Sequence, residues 1–562
     1  MVLGLILGAP SLSVGFFMDD FAHRSAFLGM GEVADMVRSP VRMFSFSEGI
    51  PENTRLVIDS GLYPWWTSET VLLNFWRPLT AATHAVDYAL WPNSPSLMHA
   101  QSLFWFCVTI LAVAGLFRRV GLPVWPAGLA GLLFVVDESH AIPVAWIANR
   151  NALLALFFGV MCVSAHIRWR ESEKPAWLIG AMALLTISVH CNEGGIATCG
   201  YLFAYAVFLD KAPLAFRFAS LIPYGVIVVV WRVAYSAMGF GALGSPTYID
   251  PGATPIRFVE AFIGRAPVLL ASQFANLPGE PFVFLPASFK VAYWALSMAA
   301  FGICAIALWP FVRESRRARF WALAVLLSVI PASSTFPSGR LLVFASVGGA
   351  GLLSEYLIWV FSQERPRAKL SRAIAYGLIA IHIFIAPFAL VGTSLGLNYL
   401  AWGMQKTFTD IDYPDDIGDR RLVIINAPNF FFTTYANVYR TVEGLPVPQG
   451  THLLAPNAPI PARMTVTRVD EDTLYFAGED GFRYMLFRDE DKPFAVGDRI
   501  ELTHLTVEVL EVDDVGHAMA VHYHFPAPLE SPTYCWMQMD LRMKFEPYTP
   551  LGIGETQVFY GD

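Results

Sequence analysis

The sequence predicts an α-helical polytopic membrane protein of about eleven transmembrane helices, followed by a soluble domain rich in β-strands. Of its 562 residues, 55% are apolar and only 15% are charged, a balance that is typical of the membrane class. Apolar segments long enough to cross a bilayer recur along residues 1–400. From residue 405 onward they give way to short β-forming runs that turn residues separate.

The membrane part is predicted to occupy residues 1–400. Its apolar segments are 1–17, 97–117, 122–137, 144–166, 176–190, 194–210, 218–239, 290–312, 320–333, 341–361 and 373–394. The first segment lacks the basic start and the A-x-A-like cleavage site of a signal peptide, so it predicts a membrane helix. Because it holds only about 17 residues, we expect the true chain start to lie upstream.

Lysine and arginine are concentrated in every second loop between the apolar segments. These loops are therefore predicted to face the cytoplasm. They are Arg118 and Arg119, then Arg168, Arg170 and Lys174, then Lys211 and Arg217, then Arg313, Arg316, Arg317 and Arg319, then Arg365, Arg367, Lys369 and Arg372. The extracytoplasmic side then receives the long segments 18–96 and 240–289. The first is expected to fold as a lid whose aromatic run 63–66 lies at the membrane interface, and the second to hold an amphipathic helix.

Charge separates the predicted domain at 405–562 from the membrane part. Residues 406–562 hold 25 acidic and 12 basic side chains, whereas the rest of the chain has a net charge of +5. β-rich runs are predicted at 421–426, 464–469, 473–477, 482–487, 499–512 and 517–525, with a short αβ segment at 430–454. These runs predict a sandwich or a barrel on the extracytoplasmic side.

Several classes of protein are excluded or disfavoured. The chain has no G-x-S-x-G, P-loop or H-E-x-x-H motif, and no G-x-G-x-x-G motif after a strand, so nucleotide-sugar and ATP chemistry have no support. Its charge distribution does not favour nucleic acid as a partner. The six cysteines lie mostly in apolar runs without C-x-x-C spacing, which predicts buried hydrophobic residues instead of a metal site or a disulfide framework.

Asp19 and Asp20 directly follow the first apolar segment, which predicts both carboxylates at the outer membrane surface, the depth of a lipid phosphate. Sugar transfer from a lipid phosphate needs a base for the acceptor hydroxyl and positive charge on the departing phosphate. An acidic pair can supply the base, or Asp20 can be an oxygen ligand for Mg²⁺ or Mn²⁺. Alternatively, the two aspartates merely end a helix at the water boundary.

Further polar residues are predicted on or just beneath the same face, as donor-phosphate or substrate contacts. They are Arg77, His140, Arg150, His190, Glu193 and Arg340. Arg150 lies inside an apolar helix, where an unpaired charge costs several kcal/mol, so it needs a ligand or a partner. The alternative is a structural ion pair with Asp87, Asp137 or Glu138. For His190 the alternative is a hydrogen-bonded turn, and for Glu193 it is a helix cap.

Five sequence runs, in this order, resemble the membrane half of GT-C glycosyltransferases. They are MDDFAHR, FWRPLTAATHAVDYALW, ESHAIPVAWIANRNALLALFF, HCNEGGIATCGYLFAY and PSGRLLVFASVGGAGLL. The similarity covers about residues 15–360, and it is greatest to the tetratricopeptide-repeat-linked protein O-mannosyltransferases. The R-P-L-T run and the V-A-W-I-x-x-R run are its most specific parts.

The resemblance implies an inverting transferase that uses a polyprenyl-phosphate sugar, often mannose, on the lumenal or periplasmic side. It implies a catalytic carboxylate at Asp19 or Asp20, and functional polar groups at Arg77, His140, Arg150, Glu193 and Arg340. We therefore expect an integral protein of a bacterial inner membrane, in contact with membrane lipids, the lipid-linked donor and a protein or glycan acceptor. The domain at 405–562 would position the acceptor.

Two alternatives stay open. On the same scaffold, the sugar could pass to a lipid or a surface polysaccharide instead of a protein. A non-enzymatic membrane scaffold for envelope assembly would instead lack a polar cavity that connects Asp20 with Arg150 and Arg340. Transport is disfavoured because the polar intramembrane groups are predicted on one side only.

Overall fold

The computed structural model describes residues 1–31, 40–362, 369–427, 430–454, 463–479, 481–482, 486–540 and 542–559. These residues form two compact units. The helical unit comprises Met1–Phe17, Trp76–Met238 and Asp250–Leu400, and the β-rich unit comprises Met18–Phe75, Gly239–Ile249 and Ala401–Asp562.

Long apolar helices dominate the helical unit. Among the described residues, seven helices are long and apolar enough to cross a membrane: Pro95–Arg119, Ile147–Ser172, Leu214–Ala237, Pro255–Ala275, Phe289–Glu314, Gly339–Phe361 and Lys369–Thr409. The pair Val124–Val135 and Glu138–Ala145, bent by 51°, makes an eighth if it forms one span. The predicted polytopic membrane region is thereby confirmed.

Other helices of this unit are shorter. They are Val2–Gly8, Ala9–Ser13, Pro78–Leu90, Pro175–Cys191, Glu193–Ile196, Ala197–Phe208, Pro281–Phe284 and Arg316–Ala332. The predicted span 1–17 corresponds to an α-helix of 7 residues that continues as a 3-10 helix of 5 residues. The predicted spans 176–190, 194–210 and 320–333 correspond to α-helices of 17, 12 and 17 residues. About 20 residues are needed to cross a hydrocarbon core, so these shorter helices do not count as spans by their length. The predicted number of about eleven spans is therefore not confirmed.

The segment predicted as the external loop 240–289 contains a longer helix than expected, Pro255–Ala275, of 21 residues. Its first half carries the charges of Arg257 and Glu260 on one face, which suggested an amphipathic helix. Its second half is apolar and buried from Ala266 to Phe274. Because its first half is charged, the sequence did not predict that this helix is long and apolar enough to be a span.

The helix Gly339–Phe361 lies in the interior of the helical unit, since 89% of its 18-residue apolar stretch is buried. Small residues permit this packing, because a Cβ on Gly351 would lie 2.6 Å from the ring of Trp321. A Cβ on Gly348 would meet Val325 at 2.8 Å. Arg340, at the start of this helix, is therefore carried by a rigid element.

The β-rich unit contains thirteen described strands. They are β1 (Ser45–Glu48), β2 (Leu72–Asn74), β3 (Gly241–Leu243), β4 (Arg421–Ile424), β5 (Gly450–Leu453), β6 (Met464–Arg468), β7 (Thr473–Gly478), β8 (Arg499–Leu502), β9 (Leu505–Val512), β10 (Ala518–His524), β11 (Tyr534–Met539), β12 (Phe545–Pro547) and β13 (Thr556–Phe559). They form three sheets, ordered β1-β2-β3, β12-β11-β4-β5 and β13-β6-β7-β10-β9-β8. Strand β4 runs parallel to both of its neighbours, and the six-stranded sheet is antiparallel.

Most predicted strands after residue 420 are confirmed, as is the αβ segment, which contains the helix Phe430–Val442 and β5. The β-rich character of this region therefore follows from the sequence. The predicted strand 482–487 includes residues 483–485, which lie outside the described residues, as do the predicted cytoplasmic residues Arg365 and Arg367.

The run 63–66 was predicted at the membrane interface, and that prediction is wrong. Trp65 and Trp66 are 3% and 0% exposed, within the core of the β-rich unit. The indole N–H of Trp65 donates to the Tyr523 hydroxyl at 2.9 Å. An aromatic run satisfies its apolar surface and its N–H groups equally well in a protein core, so composition alone does not separate the two environments.

Candidate functional site

The acidic pair begins the helix Asp19–Leu28 of the β-rich unit. Met18, directly before it, has a φ of 47°, in the left-handed region that residues other than glycine rarely adopt. Asp20 is buried, at 1% exposure, whereas Asp19 is half-buried. The positive end of the helix stabilises both carboxylates, and a strained residue at such a point is typical of functional sites.

A tyrosine fixes the Asp19 carboxylate. The Tyr435 hydroxyl donates to Oδ1 of Asp19 at 2.5 Å. Burial and the negative charge of Asp19 raise the pKa of Tyr435, and the same two causes raise the pKa of Tyr63. Tyr435 therefore stays protonated and favours the ionised form of Asp19, because it hydrogen-bonds to the carboxylate. The Tyr63 hydroxyl donates to the carbonyl of Phe46.

The acidic helix is anchored on the helix Phe430–Val442 within the same unit. The Phe21 ring packs against Tyr435 and Tyr439, with centroid distances of 6.1 and 5.5 Å. Arg24 forms an ion pair with Glu443. Since the aromatic contacts join the two helices and Glu443 directly follows the second one, the position of Asp19 is set by residues far along the chain.

In the helical unit, Arg77 and Glu193 form an ion pair. Both Nε and Nη2 of Arg77 lie 2.8 Å from Oε2 of Glu193. The Tyr235 hydroxyl lies 3.5 Å from the other carboxylate oxygen. Two residues that were predicted to contact substrate therefore neutralise each other.

The residues on both sides of Arg77 also contact the end of the helix that precedes Glu193. The Thr80 hydroxyl donates to the carbonyl of Cys191 at 2.7 Å. The Trp76 and His190 rings meet edge to face at 4.6 Å, and His190 Nδ1 lies 2.7 Å from the carbonyl of Thr186. The predicted proximity of Arg77, His190 and Glu193 is thus observed, and the alternative of a hydrogen-bonded His190 is also observed.

Arg150 is fully buried, and all three of its side-chain nitrogens donate hydrogen bonds. Its Nη1 donates to Asp87 Oδ2 at 2.5 Å, and both side chains are 0% exposed. Nε donates to the Ser102 hydroxyl at 3.0 Å, and Nη2 donates to the Met98 carbonyl at 2.7 Å. This geometry favours the structural ion pair with Asp87 over a phosphate contact.

His140 is also fully buried, at 0% exposure. Its ring lies between the rings of Phe134 and Phe106, with centroid distances of 4.4 and 5.2 Å. Such apolar surroundings favour a packing role, so the phosphate contact predicted for His140 gains no support from its position.

Arg340 is half-buried and differs from these residues. Its guanidinium lies over the Trp146 and Phe336 rings, 5.4 and 5.6 Å from their centroids. Among the described residues it has no carboxylate or hydrogen-bond partner for its side chain. The aromatic faces orient the cation without neutralising it, which leaves the charge available to an anion.

One carboxylate fixes the backbone before Arg340, and a second lies close to it. Glu280 accepts hydrogen bonds from the Ser338 hydroxyl at 2.7 Å and from the Gly339 N–H at 2.8 Å. Glu138 approaches from the other side, where a Cβ on Gly339 would lie 2.7 Å from its carboxylate. Glu280 therefore holds the turn, Glu138 lies close to it, and neither carboxylate pairs with the Arg340 guanidinium.

The predicted metal at Asp20 does not fit this geometry. Mg²⁺ and Mn²⁺ prefer oxygen ligands, and an ion on one or two protein carboxylates keeps several waters. Asp20 is 1% exposed, which leaves no room for a hydrated ion beside its carboxylate.

Sequence reasoning missed the residues that position the site. Tyr435 lies 416 positions after Asp19, and no local pattern signals that contact. Glu280 was likewise not singled out, because its role appears only when the turn at Ser338 folds against it.

No protein-family model and no curated protein sequence match the chain. Solved structures with some similarity include an oligosaccharyltransferase from Archaeoglobus fulgidus in the apo form (11% identity, TM-score 0.39). Another is the archaeal oligosaccharyltransferase AglB from the same organism, in complex with an inhibitory peptide and a dolichol-phosphate (12% identity, TM-score 0.38).

Each of these two alignments covers 82% of this chain and 64% of the archaeal protein. ArnT from Cupriavidus metallidurans bound to undecaprenyl phosphate is similar at 12% identity and a TM-score of 0.34, over 77% of this chain and 83% of that one. Scores this low establish neither a shared fold nor a shared activity.

Proposed function

We propose that the chain is an inverting glycosyltransferase of the GT-C type, embedded in a membrane. It would move a sugar from a polyprenyl-phosphate donor to a protein or glycan acceptor on the extracytoplasmic face, in a bacterial inner membrane. The observation that carries the proposal is the half-buried Asp19 carboxylate, which follows a strained residue and is hydrogen-bonded by the protonated Tyr435. The apolar helices of the other unit suit a lipid-linked donor.

In this mechanism Asp19 is the general base. It accepts the proton of the acceptor hydroxyl while that oxygen bonds to C1 of the sugar. The bond between C1 and the phosphate oxygen breaks, and the polyprenyl phosphate leaves with the bonding electrons. A single displacement inverts C1. Asp20 is too buried to reach an acceptor, so it supports the charge and position of the helix start.

Arg340 is the proposed contact of the departing phosphate. Arg77 and Arg150 are neutralised by Glu193 and Asp87, whereas the Arg340 guanidinium has no carboxylate partner within the described ranges. A cation at that point would stabilise the charge that develops on the phosphate. No step passes through a metal ion, since the burial of Asp20 does not fit one.

The base is tested by Asp19→Asn and Asp20→Asn, assayed for transfer from polyprenyl-phosphate mannose in purified full-length protein. We expect Asp19→Asn to lower kcat by about 100-fold to 10,000-fold, the usual contribution of a general base. Asp20→Asn should lower kcat less. The matched control is Asp415→Asn, in the exposed pair Asp415 and Asp416 of the same unit, which should leave turnover unchanged.

If Asp19→Asn turns over at the rate of the control while wild type is active, Asp19 is not the base. If wild type transfers no sugar from several polyprenyl-phosphate donors, the transferase proposal itself fails. The acceptor class is identified by comparing the glycoproteins, glycolipids and polysaccharides of membranes with and without the protein, since only one class should lose its modification.

A further inference from the structure

Strands β9 and β10 place three metal-ligating side chains on one face of the six-stranded sheet. Glu508 on β9 is the direct cross-strand partner of His522 on β10. His524 lies two residues beyond His522 and so points to the same face. The other face is apolar, since Val507, Val509 and the intervening Tyr523 are all 0% exposed. The sheet is thus anchored on one side and polar on the other.

The ligand atoms are close enough to share one ion. One atom each from Glu508, His522 and His524 lies within 4.8 Å of the others, and all three side chains are half-buried. His524 Nε2 and Glu508 Oε2 are 3.3 Å apart. In a tetrahedral site with bonds of about 2.0 Å, neighbouring ligand atoms are separated by about 3.3 Å.

The hydrogen bonds around His524 fix which ring nitrogen faces the centre of the cluster. The Thr473 hydroxyl donates to Asp472 Oδ1 at 2.9 Å, so its oxygen is left to accept a hydrogen bond. That oxygen lies 3.2 Å from Nδ1 of His524 and can accept its proton, in the tautomer that a metal ion on Nε2 would select. The lone pair of Nε2 then faces the Glu508 carboxylate.

A proton or a metal ion can bridge Nε2 of His524 and the Glu508 carboxylate at this distance. A hydrogen-bonded partner on the far nitrogen is the usual second-shell support of a metal-ligating histidine. Within the part of the chain that the structure describes, the His522 ring has no hydrogen bond, and its nearest rings are His524 and Tyr475, at 5.6 and 5.8 Å. Its nitrogens are therefore free to turn toward the same centre.

One neighbour competes for the carboxylate. Arg499 Nη2 lies 3.1 Å from Glu508 Oε2, but the Arg499 side chain is 61% exposed. An exposed ion pair of this kind contributes little free energy. A metal ion can therefore take Glu508 without a large loss elsewhere.

We propose that Glu508, His522 and His524 bind a divalent transition-metal ion of the zinc type. Two imidazole nitrogens and one carboxylate oxygen suit Zn²⁺, Ni²⁺ and Cu²⁺ better than Mg²⁺ or Ca²⁺, which prefer oxygen ligands. Three protein ligands leave at least one coordination position for water or an anionic ligand. The site does not depend on the proposed glycosyl transfer, and it shares no residue with it.

The test uses full-length, tag-free protein in detergent, stripped with a chelator and then titrated with Zn²⁺. Wild type should bind one tightly held Zn²⁺ per chain. The variants Glu508→Gln, His522→Ala and His524→Ala should each weaken binding at least about 100-fold, more than the loss of a second-shell partner. The control is His517→Ala, which removes a histidine paired with Asp513, outside the proposed site, and should leave binding unchanged.

Two further measurements separate ligation from misfolding. Co²⁺ in wild type should give the visible absorption of a low-symmetry site, and this band should be absent in His524→Ala. Thr473→Val, which keeps the strand and removes only the hydroxyl, should weaken Zn²⁺ binding about 10-fold to 100-fold. Circular dichroism of each variant should match wild type.

The proposal is overturned if wild type holds no Zn²⁺ at micromolar concentrations. It is equally overturned if the His522→Ala and His524→Ala proteins, folded by circular dichroism, bind the ion as tightly as the His517→Ala control.

Discussion

At the scale of single residues, what separates the arginines of the helical unit is whether a carboxylate neutralises them. Arg77 pairs with Glu193 and Arg150 with Asp87, whereas Arg340 lies on two aromatic rings. A ring face holds a guanidinium with about 0.5 to 1 kcal/mol at an exposed site and leaves its charge in place. Burial alone would have ranked Arg150 first, although its donors are already used.

Arg340→Ala should therefore lower kcat/KM for a polyprenyl-phosphate sugar by about 100-fold, as expected for loss of a group that stabilises transition-state charge. Arg340→Lys should recover only part of this, because it keeps the charge but loses the planar stacking surface. Inhibition by free polyprenyl phosphate should weaken in parallel.

The control is Arg313→Ala, since Arg313 is exposed and lies over the Trp309 ring at 6.0 Å in the same kind of contact. Equal kinetics for the Arg340→Ala and Arg313→Ala proteins would remove Arg340 from the mechanism. Both variants should reach the membrane in wild-type amounts.

At the scale of elements, the buried pair of Arg150 and Asp87 connects three helices. Asp87 lies in Pro78–Leu90, Arg150 begins Arg150–Ser172, and the Ser102 hydroxyl extends the pair to Pro95–Arg119. Removing one member leaves the other as a buried, uncompensated charge. The expected loss of folding free energy is about 3 to 5 kcal/mol.

Asp87→Ala should accordingly lower the melting temperature of the detergent-solubilised protein far more than Asp410→Ala, which removes an exposed aspartate paired with Lys406. The double variant Asp87→Leu with Arg150→Met should recover most of the stability, because an apolar pair of similar volume needs no charge compensation.

Activity of that double variant distinguishes the two interpretations of Arg150. A structural pair predicts that stability and transfer recover together. Recovery of stability without any transfer would instead mean that Arg150 contacts substrate and would contradict the structural interpretation.

Also at the scale of elements, the sequence predicted those helices and strands whose hydrophobic pattern lies within a few consecutive residues. The strands β6, β7, β9 and β10 follow from alternating apolar residues between turns. The helix Pro255–Ala275 was missed as a span because its charges precede its apolar half. The site on β9 and β10 did carry a signal, since His522 and His524 alternate along one strand, yet Glu508 joins them only through strand pairing.

At the scale of the whole molecule, the sequence predicts a membrane part and a β-rich part, but not which segments each contains. Charge and hydropathy change near residue 405, so that boundary is visible in composition. Residues 18–75 belong to the β-rich unit because they contact residues that lie hundreds of positions away in the sequence. Such contacts cannot be predicted from composition. For the candidate site, the acidic pair was predictable from its position, whereas its partner Tyr435 was not.

Because residues 18–75 and 401–562 form one unit, neither should fold without the other. The Thr434 hydroxyl donates to the Leu62 carbonyl at 2.8 Å, and the Thr503 N–H donates to the Asp59 carboxylate at 2.7 Å. Together with the buried Trp65 and Trp66, these contacts attach residues 40–75 to residues 401–562. A chain that ends at Leu400 loses all of them.

We therefore expect trypsin to cleave a chain that ends at Leu400 at least about 10-fold faster than the full chain. The diagnostic sites are Arg42 and Arg55, which lie within that segment. The reason is that the cleavage rate follows the population of the locally unfolded form. Mass spectrometry of the fragments measures this. Adding residues 401–562 as a separate polypeptide during expression should restore protection, and the pair carrying Trp65→Ala should stay sensitive. Equal resistance to trypsin at Arg42 and Arg55 in the full and shortened chains would mean that residues 18–75 fold alone. The position of the acidic pair would then be set by that segment and not by the helix that carries Tyr435.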